Sequence, residues 1–246
     1  MAIPQAYYIR RRSVEIIEGV HAIDSLGIGR AYLYAEADRL TLIDTGLAGS
    51  ADRIFAAIEA AGRKPGDLRQ IIITHCHNDH TGSLADVVER TGAQVLAHRL
   101  DAPVVRGDAP PPPPNPRGML RLLRPLLARG TQPAPPVAVD RELADGDEVD
   151  LDGGAKVLHV PGHTAGSIAL HLPQRRLLFA GDAAANTLGL GPPSGPFGMF
   201  NADRAQTRES FRKLAELDFD VACFGHGKPL DKDASRAFRR AAEKLA

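Results

Sequence analysis

The chain has 246 residues, 43% of them hydrophobic and 24% charged, and its 30 basic and 30 acidic side chains cancel to zero net charge. That is the composition of a globular protein able to bury about 70–75% of its unfolded surface. Neutrality argues against a nucleic-acid partner, two cysteines exclude a disulfide framework, and no apolar run approaches the ~18 residues that cross a bilayer. The first eight residues, Met1 to Tyr8, lack the basic-then-apolar order of a secretory leader, so a cytoplasmic protein without membrane contact is expected.

In chain order, strands are predicted at Val14–Val20, Ala31–Glu36 and Leu40–Asp44, then a helix from Ser50-Ala51-Asp52 to Ala61, stopped by Gly62. Gln70–Thr74 is a β-branched run of the kind found in strands covered on both faces. A histidine-rich turn, a helix over 82–90 and the strand Gln94–Ala97 follow. This strand-loop-helix order predicts a layered α/β domain with functional loops at strand ends.

The next segment breaks the rhythm. Of 19 prolines, 11 fall between Pro103 and Pro136, and five arginines there face one acid, Asp108. Pro110–Pro114 must be extended, because proline fixes φ and lacks an N–H. Between the proline clusters, 118–124 and 126–129 read as a short amphipathic helix kinked at Pro125. β character returns at Val137–Val139, Glu148–Leu151, Lys156–Val160, Ser167–Leu172 and Arg176–Ala180. A glycine- and proline-rich loop over 183–200 precedes a helix capped by Asp203, a last strand Val221–Phe224, and a closing helix 232–246. One domain over 1–246, with 103–136 inserted in it, is the simplest organisation.

Chemistry concentrates after the Ile71-Ile72-Ile73 run. Thr74-His75-Cys76-His77-Asn78-Asp79-His80 packs three imidazoles and a carboxylate into six residues, which is poor material for a core. In a turn leaving a strand, His75 and His77 can point one way while Asp79 and His80 turn to an adjacent point, supplying parts of two neighbouring metal sites. Imidazole with carboxylate suits zinc, and also iron or manganese. Three later strand ends add His163 in Pro161-Gly162-His163-Thr164-Ala165-Gly166-Ser167, Asp182 in Phe179-Ala180-Gly181-Asp182, and His226 in Phe224-Gly225-His226-Gly227.

The sequence resembles the metallo-β-lactamase superfamily over nearly its whole length. The His-x-His-x-Asp-His signature stands at His75, His77, Asp79 and His80 with Gly82 following, and the Pro-Gly-His, Gly-Asp and Gly-His-Gly elements come in order. The resemblance implies a four-layer αββα sandwich with two metals, zinc in the first instance, at the edge between its sheets. It implies that His75, His77 and His163 hold one metal, Asp79, His80 and His226 the other, and Asp182 both, with Asp44 of Asp44-Thr45-Gly46 in support. The implied reaction is hydrolysis of an ester, lactone or thioester by a hydroxide held between the metals. Asp79 is the candidate catalytic residue, orienting that hydroxide or relaying a proton.

An aspartate at 182 resembles the glyoxalase II-like and lactonase-like branches and makes β-lactam hydrolysis a weak activity at most. The chain departs from acyl-homoserine lactonases in having no tyrosine after Asp182; its tyrosines are Tyr7, Tyr8, Tyr32 and Tyr34. A mononuclear-iron enzyme of the persulfide dioxygenase type is the alternative class. Cys76 and Cys223 are expected to be buried thiols. His21, His98 and His171 are expected to be structural or exposed, and His159 to line the pocket or support it. The leucines of 119–127 would form an apolar lid over the cleft or a homodimer surface. Phe197, Met199 and Phe200 would form the opposite wall around a small, partly hydrophobic substrate.

Overall fold

The computed structural model describes residues 13–26, 29–115, 122, 132–186 and 200–245. Its first sheet has seven strands in sequential order: β1 (Ser13–Ile17), β2 (Val20–Leu26), β3 (Gly29–Ala35), β4 (Leu40–Ile43), β5 (Leu68–Ile73), β6 (Gln94–His98) and β7 (Arg141–Leu143). β1 to β4 are antiparallel neighbours and β4 to β7 run parallel. The second sheet is ordered β12 (Val221–Cys223), β11 (Leu177–Phe179), β10 (Ile168–Leu172), β9 (Ala155–His159), β8 (Glu148–Val149), with only β11 and β12 parallel.

The alternation of side chains along each strand sorts them into three cores. Leu33, Ile71, Ile73, Val95 and Ala97 face outward from the first sheet, onto α1 (Ala51–Ala60) and α3 (Leu84–Thr91). Tyr32, Tyr34, Ile72, Leu96, Leu170, Phe179 and Cys223 fill the space between the sheets. Ala169, Leu178 and Ala222 face outward from the second sheet, against Phe211 of α5 (Arg204–Ala215) and Phe238 of α6 (Ala234–Glu243). This is the four-layer αββα sandwich. Ile71-Ile72-Ile73 is uniformly apolar because both faces of β5 are covered. Among the described residues, no helix is long and apolar enough to cross a membrane.

Several local expectations are corrected. Val14–Val20 is not one strand but the end of β1, the turn Glu18-Gly19 and the start of β2. Val137–Val139 lies outside any strand: Val137 N–H donates to Val105 O at 3.0 Å, and pairing with β6 begins only at Arg141. Ser50 makes no side-chain cap on α1, whereas Asp203 Oδ1 accepts from Ala205 N–H and Gln206 N–H at the start of α5.

The ends of the proline-rich segment meet. A Cβ on Gly107 would sit 3.0 Å from Pro136 Cβ, beside the Val137–Val105 hydrogen bond. Arg106 is held by Asp108 at 2.9 Å and Glu142 at 2.7 Å. Beyond the proline run, Asn115 Nδ2 donates to Ala202 O at 3.2 Å and accepts at its carbonyl from Arg204 at 2.9 Å. Of the expected helix over 118–129 only Leu122 is described, and it is 80% exposed; the rest, along with Tyr7, Tyr8, Phe197 and Met199, falls outside the described residues.

Candidate metal centre

Parallel strands bring their C-terminal ends to one edge, and this edge collects the side chains singled out in the sequence. Asp44 follows β4, His75 and His77 follow β5, and the single turn α2 (Asn78–Thr81) carries Asp79 and His80. From the second sheet, His163 sits on the β9–β10 turn, Asp182 follows β11 and His226 follows β12. The predicted seven side chains converge in three overlapping groups, each with donor atoms within 4.8 Å of one another: His75, His77 and His163; His75, His80 and Asp182; Asp79, His80 and His226. Asp182 lies between the outer two, 3.2 Å from His163 Nε2, 3.6 Å from His80 Nε2 and 3.0 Å from His226 Nε2.

Hydrogen bonds on the far side of the rings select which nitrogen faces inward. His80 Nδ1 lies 2.8 Å from Asp44 Oδ2, an acceptor only, so it carries the proton. His163 Nδ1 likewise donates to Asn201 Oδ1 at 2.8 Å. Thr74 Oγ1 gives its one proton to Asp44 Oδ2 at 2.7 Å, which leaves it an acceptor for His75 Nδ1 at 3.2 Å. The Nε2 atoms of His75, His80 and His163 are thereby turned into the centre. His77 faces it through Nδ1, 2.9 Å from His163 Nε2.

The buried polar atoms without a protein partner among the described residues include His75 Nε2, His80 Nε2 and Asp182 Oδ1, all in this cluster. Unpartnered buried polar atoms are costly, and a divalent ion satisfies such a set. The residues therefore fit metal. The backbone at Gly225 approaches the cluster closely: a Cβ there would overlap Asp182 Oδ1 and lie 2.6 Å from His80 Cε1.

Without metal, the charges settle among themselves. Burial holds His75 well below the ordinary imidazole range and His77 down at about 3, with the neighbouring imidazoles adding to the effect. Burial acts the same way on His80 and His226, but is outweighed by carboxylates. Asp44, Asp79 and Asp182 hold His80 up at about 9, and Asp182 and Asp79 hold His226 up at about 11. Burial would raise the two acids, yet His80 and His226 bring Asp79 down to about 2, and with His163 they hold Asp182 well below the carboxylate range.

Cys76 points away from the centre into the outer core, and burial, reinforced by Asp101, pushes its thiol well up. Both thiols are buried and unpaired. His159 stacks on buried His98 with centroids 4.3 Å apart and reaches Ala165 O at 2.8 Å, so it braces the His163 turn. Tyr32 and Tyr34 belong to the core between the sheets, Tyr32 OH donating to Phe224 O at 2.7 Å. Asn201 and Asp101 carry no local signal in the sequence. Asn201 is 38 residues from the ring it touches, and Asp101 is 25 or more from its side-chain partners.

A family model described as the metallo-beta-lactamase superfamily matches residues 25–226. The chain is 30% identical over 235 residues to the probable metallo-hydrolase YflN of Bacillus subtilis, spanning 88% of this chain and 86% of that protein. It is 31% identical over 175 residues to a hydroxyacylglutathione hydrolase of Cereibacter sphaeroides, covering 70% of this chain but 52% of that protein, so it spans about half the length of this relative. Solved structures share the fold at lower identity. The metallo-β-lactamase SMB-1 bound to 2-mercaptoethanesulfonate has a TM-score of 0.72 at 24% identity, covering 95% of this chain and 94% of that one. BJP-1, a subclass B3 metallo-β-lactamase of Bradyrhizobium japonicum, has 0.69 at 23%, covering 95% and 92%. With the fold, the donor cluster and the matched residues in agreement, the chain belongs to the metallo-β-lactamase superfamily, as a metal-binding hydrolase of that fold.

Proposed function

We propose that the protein is a binuclear zinc hydrolase that cleaves an ester, lactone or thioester bond in a small, partly hydrophobic substrate. His75, His77 and His163 would hold one ion, Asp79, His80 and His226 the second, and Asp182 both. The observation that carries this reading is the convergence of seven side chains at one sheet edge, with His75 Nε2, His80 Nε2 and Asp182 Oδ1 left without a hydrogen-bond partner among the described residues. The thioester arm draws on the likeness to hydroxyacylglutathione hydrolases. When bound, two divalent ions supply Lewis acidity toward a carbonyl oxygen and bring the pKa of a water toward ~7.

The chain's own groups do the rest. Asp79, at 20% side-chain exposure, is the most open of the acids in the cluster. Its low pKa of about 2 keeps it an acceptor, suited to orienting a water or taking its proton and poorly suited to donating one. Asp44 and Asn201 hold the His80 and His163 rings in the tautomer that presents Nε2. The domain is proposed to run over 1–246, with 103–136 as a lid over the cleft or a contact between two copies. Two buried thiols accord with a reducing cytoplasm.

The test is hydrolysis of lactones, thioesters, aryl esters, phosphodiesters and β-lactams by metal-quantified protein, alongside His75→Ala and Asp182→Ala. Two zinc ions per chain, with acyl hydrolysis lost by at least about 100-fold in both variants, is the expected result. Activity that survives in variants stripped of both metals overturns the reading.

A further inference from the structure

We infer that Asp101 is a positioning residue that assembles the three-histidine half of the centre, by fastening the His75–His77 segment to the His163 turn. This rests on the reading that His75, His77 and His163 hold a metal. Asp101 follows β6 at the same sheet edge and is 3% exposed. Its Oδ2 accepts from Cys76 N–H at 2.8 Å and from Thr164 Oγ1–H at 2.7 Å, and its Oδ1 accepts from Gly166 N–H at 2.7 Å. Cys76 lies between His75 and His77, and Thr164 adjoins His163. Every one of these bonds therefore ends within three residues of a histidine of the same trio.

The carboxylate is itself held in place. Asp101 N–H donates to His98 O at 2.9 Å, and Asp101 O accepts from Val104 N–H and Val105 N–H at the start of the turn α4 (Ala102–Val105). On the far side, Thr164 Oγ1 pairs with Ser167 Oγ at 2.8 Å, and Ser167 Oγ accepts Thr164 N–H at 3.0 Å, so the turn and its tie form one network. Space is reserved for it: a Cβ on Gly166 would lie 2.6 Å from Asp101 N and Oδ1.

His77 and His163 come from different sheets and stand 86 residues apart in the chain. Nothing covalent keeps them at ligand distance, and ordering both loops at the moment of metal capture would cost conformational entropy. A buried carboxylate that bonds both loops meets that cost during folding. The other half of the centre has a different support: Asp44 bonds Thr74 N–H at 2.8 Å and His80 Nδ1 at 2.8 Å. Asp44 touches His80 directly and His75 only through Thr74, whereas the side-chain bonds of Asp101 all serve the three-histidine trio, so its removal should be felt at that ion.

Cobalt(II) affinity, read from d–d absorption against a competing chelator, tests this in two backgrounds. In His226→Ala the three-histidine trio remains, and there Asp101→Asn is expected to weaken cobalt binding about 10- to 100-fold. In His163→Ala the other trio remains, and there Asp101→Asn is expected to leave the affinity unchanged. An equal loss in both backgrounds, or none in either, overturns the assignment, because a general structural defect would not choose between ions. Should the parent proteins bind no cobalt, the metal reading itself fails and the inference falls with it. Should Asp101→Asn not fold, Thr164→Val removes one of the three bonds and keeps the shape. It should give a several-fold loss in the His226→Ala background alone, and failure to do so overturns the assignment equally.

Discussion

Asp44→Asn separates the electrostatic role of Asp44 from its backbone role. The residue is 2% exposed, and its two oxygens accept from Thr74 N–H at 2.8 Å, Thr74 Oγ1–H at 2.7 Å and His80 Nδ1–H at 2.8 Å. It also sits at φ 60, a left-handed conformation that asparagine tolerates and alanine resists. An asparagine can place its oxygen toward His80 and the Thr74 hydroxyl, but its NH2 then faces Thr74 N–H, donor against donor. One hydrogen bond to a charged group is lost and two become neutral, about 3 kcal/mol in all at ~1.5–3 kcal/mol per charged bond. For a domain of this size that lowers the Tm of the metal-free protein by about 6–12 °C. Asp44→Ala adds ~1–2 kcal/mol of backbone strain and should melt lower still. Metal at the Asp79, His80 and His226 trio should weaken about 10- to 100-fold, since His80 loses its ionised partner. Scanning calorimetry of the metal-free variants and equilibrium dialysis of zinc measure both effects. A Tm within about 1 °C of the parent, or identical melting of the Asn and Ala variants, would refute the argument.

Metal uptake near pH 7.5 should release one proton from each of His80 and His226. Their pKa values of about 9 and about 11 keep both protonated in the metal-free protein, while ligation needs the bare Nε2. Both lie above the ordinary 6.5, so they stabilise the metal-free fold fully below that value, and this contribution fades as pH climbs through about 9 and then about 11. Proton release should accordingly shrink above pH 9. Calorimetric titration in buffers of different ionisation enthalpy reads the count, and heats independent of buffer would contradict it. Replacing residues 108–136 by a Gly-Gly link should leave folding and metal content intact, because the ends of the segment already meet at Gly107 and Pro136. It should raise KM about 10-fold for hydrophobic esters. Unchanged KM and kcat on every substrate turned over would remove the segment from the substrate site.

What could be read from the sequence depended on how local the signal is. The uniform apolar run Ile71–Ile73 marks a strand with both faces covered, and the spacing of His75, His77, Asp79 and His80 marks a site because four donors share one turn. The β1–β2 hairpin merged into one strand because only Glu18-Gly19 separates two apolar stretches. β7 escaped notice since Arg141 and Glu142 are exposed at the sheet edge, while Val137 and Val139 carried β-branched side chains that merely pack on the outer core. Asp101 and Asn201 were invisible for a different reason. Each acts through partners dozens of residues away, and an acid after a strand looks like any turn residue until the sheets are assembled.

The site straddles a seam. Asp44 and the His75–His80 segment ride on the first sheet, while His163, Asp182 and His226 ride on the second. Ions that fill it would add a clasp across two halves already joined by apolar contact and by the hydrogen bonds of Asp101 and Tyr32. By mass action, an ion present at about 1,000 times its dissociation constant adds about 4 kcal/mol to the cohesion of the fold. Scarcity of metal would therefore reduce how much folded protein persists as well as how fast it works.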